Sequence, residues 1–379
     1  MLTKQTAIDY IICYESSPIN YSAAALTLKK ALDEICGTDI TCVSDSTPNG
    51  KAILIGRSNK DGEKAPLMTY TMSSEEENIR LHCGGVYSAC CAAKLLASLV
   101  ASDSLSGNLP SCEYLFSTDR LPLTEGSDLR VMTSNILAER WPCGGRPGVS
   151  VRAEIYTAVL AKYAPEIVGV QETDMPWTEI FPPYLDILRD EYGVDYSWDQ
   201  NIVDNVANLT SILYLKNRFS MKEHGMRDFS YANHVKYKLR VLTWAVFKDT
   251  QTEKLVALVN THWSGNRDNS EIEIREETAL VRDLEARYEG ITVFCTGDFN
   301  MHGNFAFEPL KEFSGLIDAR ENAEESGTLI NKNSGIKSDI YIDHVFFNKN
   351  IITTRYETVD NIHAGSLSDH LPQYGDFKL

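Results

Sequence analysis

Ile291-Thr292-Val293-Phe294-Cys295-Thr296-Gly297-Asp298-Phe299-Asn300 is an apolar run that closes on a Gly, an Asp and an Asn. The run Ile291–Cys295 reads as a buried strand, with Gly297 as the turn at the sheet edge. In extended backbone, residues i and i+2 point the same way. Asp298 and Asn300 are therefore expected to aim a carboxylate and an amide at one spot. That pairing suits a held water: the Asp takes its proton and the Asn grips an oxygen.

Working outward, the same arrangement recurs at other strand ends. Asn135 closes Leu129–Ile136, and Glu172 follows Glu166–Gln171. His262 follows Leu255–Thr261, Asp343 and His344 lie within Ser338–Phe346, and Asp369 and His370 lie within Ser368–Pro372. Each has an ordinary explanation when taken alone: a turn-forming Asn, a solvated Glu, a structural His, an Asp capping a turn. Six such segments together are poorly explained by packing.

The stretch Ser117–Ser127 is polar, carries Pro122 and Gly126, and reads as a linker. It separates a domain over residues 1–120 from one over residues 128–379. The first reads as a small α/β module. Its strands are Tyr10–Tyr14, Ile40–Val43, Ala52–Gly56 and Asn78–Cys83. One helix is expected from Ser22, with Leu28, Leu32 and Ile35 on one face, and a second over Tyr87–Val100. The Gly84-Gly85 pair before that second helix is either a phosphate cradle or a plain turn. In the second domain strands and helices alternate. Strands are also expected over Leu209–Leu215, Leu239–Phe247, Ile340–Asn348 and Gln373–Phe377. Hairpins among them imply two stacked sheets with helices outside.

A chain of 379 residues, 43% hydrophobic and 23% charged, has the composition of a globular protein with a sizeable core. Its net charge of −17 argues against non-specific nucleic-acid binding, which is usually basic. The nine cysteines are odd in number and show no repeated metal-type spacing, so they read as reduced core residues. Reduced cysteines favour a reducing compartment. Met1–Thr6 lacks a charged segment leading into an apolar one, and no apolar run is long enough to span a membrane. A cytoplasmic location is expected, or a secreted one if a signal peptide has been removed.

The motifs together resemble the endonuclease/exonuclease/phosphatase superfamily, which includes deoxyribonucleases, apurinic endonucleases, sphingomyelinases and inositol-polyphosphate phosphatases. The resemblance rests on Asn135, Gln171-Glu172, Thr261-His262, Gly297-Asp298-Phe299-Asn300, Ile342-Asp343-His344-Val345 and Ser368-Asp369-His370, in that order. It implies a four-layer α/β/β/α sandwich of two mixed sheets, preceded by the small α/β domain. That first domain in turn resembles the non-catalytic α/β domain of some bacterial glycosidases. The superfamily resemblance also implies a divalent-metal-dependent hydrolase of phosphoester bonds, using Mg²⁺ or Mn²⁺. Glu172 is then the expected metal ligand, with another oxygen from Asn135, and Asp369 would either touch the metal or brace the site. Asp298 would activate water and Asn300 would hold it. His370 would stabilise the transition state, His262 would do the same or assist the leaving group, and Asp343 would orient His370. His344 should point away from Asp343 and be structural. In one respect the chain departs from the apurinic endonucleases: Leu137 stands where they carry an Asp.

Candidate substrates are a phosphorylated small molecule, a lipid headgroup or nucleic acid. The charge and Leu137 favour a phosphodiesterase or phosphatase over a nuclease; a non-catalytic binding protein on the same scaffold is the other class. Trp141 and Arg146, in the loop after Asn135, could grip a base, sugar or phosphate. Lys216, Arg218, Lys222, His224, Arg227, His234, Lys236, Lys238 and Arg240 form the most basic stretch of the chain. They are either a solvated hairpin face or a contact for a phosphate-rich substrate.

Overall fold

Apolar runs of alternating register build sheets whose polar residues collect at the strand ends. The computed structural model describes residues 2–59, 61–105, 109–112, 115–140, 146–200, 202–203, 206–207, 210–231, 240–300, 310–312, 314–326, 341–349, 351–360 and 363–379. The chain divides into two compact units, Met1–Asp119 with Pro147–Lys162, and Arg120–Arg146 with Tyr163–Leu379.

The first unit holds strands β1 (Ile11–Tyr14), β2 (Cys42–Ser44), β3 (Ala52–Gly56), β4 (Tyr70–Glu75), β5 (Asn78–Cys83) and β6 (Ser111–Cys112), with helices α1 (Ser22–Cys36) and α2 (Val86–Ala101). The sheet order is β2-β1-β3-β5-β4-β6. β1 pairs in parallel with β2 and β3, and β3 with β5, whereas β4 runs antiparallel to β5. Helix α3 (Val149–Tyr163) was expected in the second domain, yet most of it groups with this unit. Its fully buried Glu154 explains why: the carboxylate accepts Met68 N at 2.7 Å and Ser88 N at 2.9 Å. The same contact decides the role of Gly84-Gly85. A Cβ on Gly85 would fall 2.6 Å from Glu154 Cδ, so the protein's own carboxylate fills the anion position at the start of α2.

The second unit contains two mixed sheets. Its strands are β7 (Leu129–Asn135), β8 (Ile167–Gln171), β9 (Tyr196–Asp199), the short ribbon β10 (Ile202–Val203) and β11 (Val206–Ala207), β12 (Thr210–Leu215), β13 (Phe219–Asp228), β14 (Val241–Asp249), β15 (Leu255–His262), β16 (Thr292–Asp298), β17 (Ile317–Asp318), β18 (Ala323–Ser326), β19 (Asp343–Phe347), β20 (Ile352–Thr358) and β21 (Gln373–Lys378). One sheet runs β18-β20-β21-β7-β8-β12-β9 and the other β13-β14-β15-β16-β19-β17. Between them packs an apolar core that includes Leu129, Val131, Ile167, Phe247, Leu258, Phe294, Val345 and Phe377. Helix α6 (Arg267–Arg287) covers the outer face of the second sheet, burying Ile274, Val281 and Leu284 against Val259, Val293 and Cys295. Helices α4 (Met175–Ile180) and α5 (Pro182–Tyr192) accompany the first sheet, α5 beside β9.

The Ser117–Ser127 stretch is less free than a linker's composition suggests. Beyond Asp119 it is clamped to the second unit. The Arg130 guanidinium donates to Leu121 O and Pro122 O while paired with Asp376 at 2.6 Å, and Thr124 N donates to Asp376. Among the described residues, no helix is long and apolar enough to cross a membrane.

Candidate active site

Strand β16 does not stop at Cys295. It runs on through Asp298, and Gly297 lies inside it rather than in a turn. A Cβ at Gly297 would come 2.6 Å from Thr261 Cγ2 and Thr261 O, so glycine is required for β15 and β16 to approach. Their parallel register sets His262 beside Asp298, and β19 brings Asp343 beside Asp298 from the other side. In the opposite sheet, β7 and β8 pair Asn135 with Gln171, just ahead of Glu172.

These side chains meet. Asn135 Nδ2 donates to Glu172 Oε1 and to Asp298 Oδ2, each at 3.0 Å. His262 Nε2 lies 3.3 Å and His370 Nε2 3.5 Å from Asp298 Oδ2. His370 Nδ1 lies 2.8 Å from Asp343 Oδ2. All six residues are buried. Three members of the neighbourhood have positive φ without being glycine: Leu137 at 59°, Glu172 at 65° and Asn300 at 52°. Left-handed backbone is costly for such residues and concentrates at functional sites. Here it turns the chain sharply where the strands end.

Burial alone would raise Asp298, but His370 and His262 outweigh it and hold the carboxyl well below the usual carboxylate range. Burial alone would lower His370. The Asp343 and Asp298 carboxylates reverse that and push it up to about 10. His370 is thus an imidazolium near neutral pH, poised to donate from Nε2.

Two groups of donors could hold a divalent cation: Glu172, His262 and Asp298, and Asp298, Asp343 and His370, with ligand atoms within 4.8 Å of one another in each. The first suits a hard cation. It sets two buried carboxylates facing each other, bridged by the Asn135 amide.

Not every expected residue arrives as expected. Asn135 does not offer its oxygen, because Oδ1 accepts Leu137 N at 3.0 Å and the NH₂ faces the carboxylates. Asp369 is half-buried and belongs to neither cation-holding group among the described residues; its Oδ1 sits 3.3 Å from Ser368 Oγ. Asn300 reaches the site by a turn rather than by strand alternation. Its N–H donates to Asp298 Oδ1 at 2.9 Å and its Nδ2 to Trp263 O at 3.0 Å. His344 points the other way from Asp343, with Nδ1 3.0 Å from Asp318 Oδ2 and its ring stacked on Phe346.

Arg240 touches the site, its Nη1 3.4 Å from His262 O. Among the described residues, no hydrogen bond or ion pair joins Arg146 to the cluster. Trp141, His234, Lys236 and Lys238 lie outside the described residues. Much of the remaining basic stretch is internally paired: Arg218 is buried against Asp249 at 2.7 Å, Lys216 pairs with Asp195, and Arg227 donates to Glu276 O.

Sequence reasoning missed two buried acids on α6. Glu277 accepts Trp263 Nε1 at 3.0 Å and Glu273 accepts Ser264 N at 2.7 Å, bracing the turn after His262. In a helix this rich in charge, nothing in the sequence marks those two as the inward ones.

Residues 132–370 match the profile of the Endonuclease/Exonuclease/phosphatase family. The chain belongs to that family. As an endonuclease/exonuclease/phosphatase protein it is a phosphoric ester hydrolase. Solved structures share the four-layer α/β sandwich. A mannosyl-6-phosphatase from Bacteroides thetaiotaomicron is 19% identical with a TM-score of 0.54, the match covering 66% of this chain and 99% of that one. An endonuclease/exonuclease/phosphatase from Bacteroides vulgatus is 21% identical with a TM-score of 0.55, covering 66% and 98%. A family protein from Leptotrichia buccalis is 15% identical with a TM-score of 0.51, covering 66% and 100%. No curated protein matches the sequence.

Proposed function

We propose that this family member is a metal-dependent phosphodiesterase or phosphatase acting on small or lipid-derived phosphate esters. The observation that carries the reading is the convergence of Glu172, His262, Asp298, Asp343 and His370, from both sheets, on one buried cluster. Glu172 and Asp298 would hold Mg²⁺ or Mn²⁺, which when bound neutralises charge on phosphoryl oxygens. Asp298 orients the attacking water as a hydrogen-bond acceptor and takes its proton. Asn300 keeps its amide oxygen for the same water, its NH₂ being engaged by Trp263. His370 donates from Nε2 to the phosphoryl oxygens as charge builds, and Asp343 holds the ring in that orientation. His262 is the second donor.

The small-substrate preference is supported by the acidic chain and by the buried Leu137, which stands where the apurinic endonucleases carry an Asp. We assign Arg240 to substrate phosphate, since it is anchored on the backbone of His262. Residues 1–120 are read as an accessory domain and residues 128–379 as the catalytic one. A cytoplasmic site of action fits the eight free cysteines among the described residues.

The test is a metal-supplemented panel: a bis-aryl phosphodiester, sugar and inositol phosphates, sphingomyelin, plasmid DNA and RNA. Turnover of the small or lipid esters, with KM raised in Arg240→Ala, is expected. Preference for DNA or RNA would replace this reading with a nuclease.

A further inference from the structure

The inter-sheet faces of four strands share one order. Along β7 it runs Leu129, Val131, Thr133, Asn135; along β15 it runs Val256, Leu258, Asn260, His262. Strand β16 follows with Phe294, Thr296, Asp298, and β8 with Ile167, Gly169, Gln171 just before Glu172. Apolar core gives way to one polar layer, and the site lies immediately above it. Thr133, Gln171, Asn260 and Thr296 are all fully buried, where a polar side chain is tolerated only when it is hydrogen-bonded.

Asn260 is the hub of that layer. Its Nδ2 crosses to the opposite sheet and donates to Val170 O and Ser211 O, both at 2.9 Å. Its Oδ1 accepts Gln171 Nε2 at 2.7 Å from across the gap and Thr296 Oγ1 at 3.2 Å from its own sheet. Gln171 Nε2 also reaches Thr133 Oγ1 at 3.2 Å. Gly169 makes the layer possible, because a Cβ there would fall 1.9 Å from Thr296 Oγ1.

The site straddles the two sheets. Glu172 and Asn135 end strands of one, and His262, Asp298 and Asp343 belong to the other. Apolar packing is non-directional and fixes the offset of two sheets loosely, whereas directional hydrogen bonds fix it closely. We propose that Asn260, with Gln171 and Thr296, is a positioning network that sets the distance and offset between Glu172 and the His262–Asp298 pair, and through them the affinity for the divalent cation. The inference rests on the cation-site reading above.

The experiment measures Mn²⁺ binding directly, by paramagnetic resonance or calorimetry, beside chemical denaturation of the same proteins. Asn260→Leu should weaken Mn²⁺ binding by about 10-fold or more, the scale for losing a group that orients a metal ligand, and should lower kcat with little change in KM. The double variant Gln171→Leu/Asn260→Leu removes both partners of the Gln171–Asn260 bond, while Val170 O and Ser211 O lose their Asn260 donor in the single and the double variant alike. It should regain stability relative to Asn260→Leu while still binding Mn²⁺ weakly. Should Asn260→Leu fail to fold, near-isosteric Thr296→Val should show the same loss in smaller degree. Wild-type Mn²⁺ affinity in the folded variants, with only stability altered, would overturn the positioning role. A wild-type protein that binds no Mn²⁺ would instead overturn the cation site, and the inference with it.

Discussion

His370 Nδ1 and Asp343 Oδ2 stand 2.8 Å apart with both side chains buried. His370 is raised from 6.5 to about 10 because Asp343 and Asp298 outweigh burial. A group raised on folding adds stability that is complete below its unfolded value and lost as pH climbs through the folded one. The contribution of His370 should therefore be intact below 6.5 and gone above about 10. In Asp343→Asn the imidazolium loses its main partner. The alkaline limb of the pH–rate profile should move toward neutrality, and His370→Ala should lower turnover by ~10²-fold or more. An unmoved limb in Asp343→Asn would remove Asp343 from this role.

Asp298 receives Asn135, His262, His370 and the Asn300 N–H at once. Asp298→Ala should cut kcat by ~10²-fold or more while far-ultraviolet circular dichroism stays unchanged. Normal turnover in that variant would place the water-activating group elsewhere.

Removal of divalent cations by chelator should abolish activity, and Mg²⁺ or Mn²⁺ should restore it. Glu172→Gln should require more cation for half-maximal rate, since a neutral amide replaces one of the two facing carboxylates. Full activity in excess chelator would dismiss the cation.

Glu277 is fully buried and raised from 4.5 to about 8 by burial, against the lowering effect of the Trp263 N–H. Below 4.5 both states hold the proton. Between 4.5 and about 8 the unfolded chain releases it while the folded one keeps it, so this group's contribution is lost as pH rises. Glu277→Gln should be more stable than wild type at pH 8 and gain less at pH 5. Urea denaturation at both values decides the matter, and an equal difference at the two would contradict it.

Gly297→Ala should destabilise the fold by about 1–3 kcal/mol, the scale of overpacking in a filled core. Its Cβ would drive β15 from β16 through Thr261. Because those strands carry His262 and Asp298, activity should fall more steeply than the melting temperature alone predicts. Wild-type stability would show that the strands tolerate the methyl group.

Much of the site was legible because apolar runs announce strands, and polar residues that stop such runs announce sheet edges. Asn135, Glu172, His262 and Asp298 stand out that way. Strands with mixed faces were harder. The edge strand β13 reads as charged and basic, while Arg218 just before it is buried on Asp249. Strand β20, Ile352–Thr358, lacks a continuous apolar signal and was not anticipated. Strand alternation does not orient Asn300, since β16 ends at Asp298 and Asn300 itself has left-handed backbone.

The sequence by itself determined the α/β class, the order of the site-bearing strands and the residue types at their ends, because hydrophobic periodicity and strand-end polarity are local properties. Tertiary structure alone decided that Asn135 turns its NH₂ to the carboxylates, that Asp369 falls outside both cation-holding groups, that Glu154 draws α3 into the first unit, and that Asn260 spans two sheets. Those outcomes depend on register and on the space left between distant strands, which short-range periodicity does not specify.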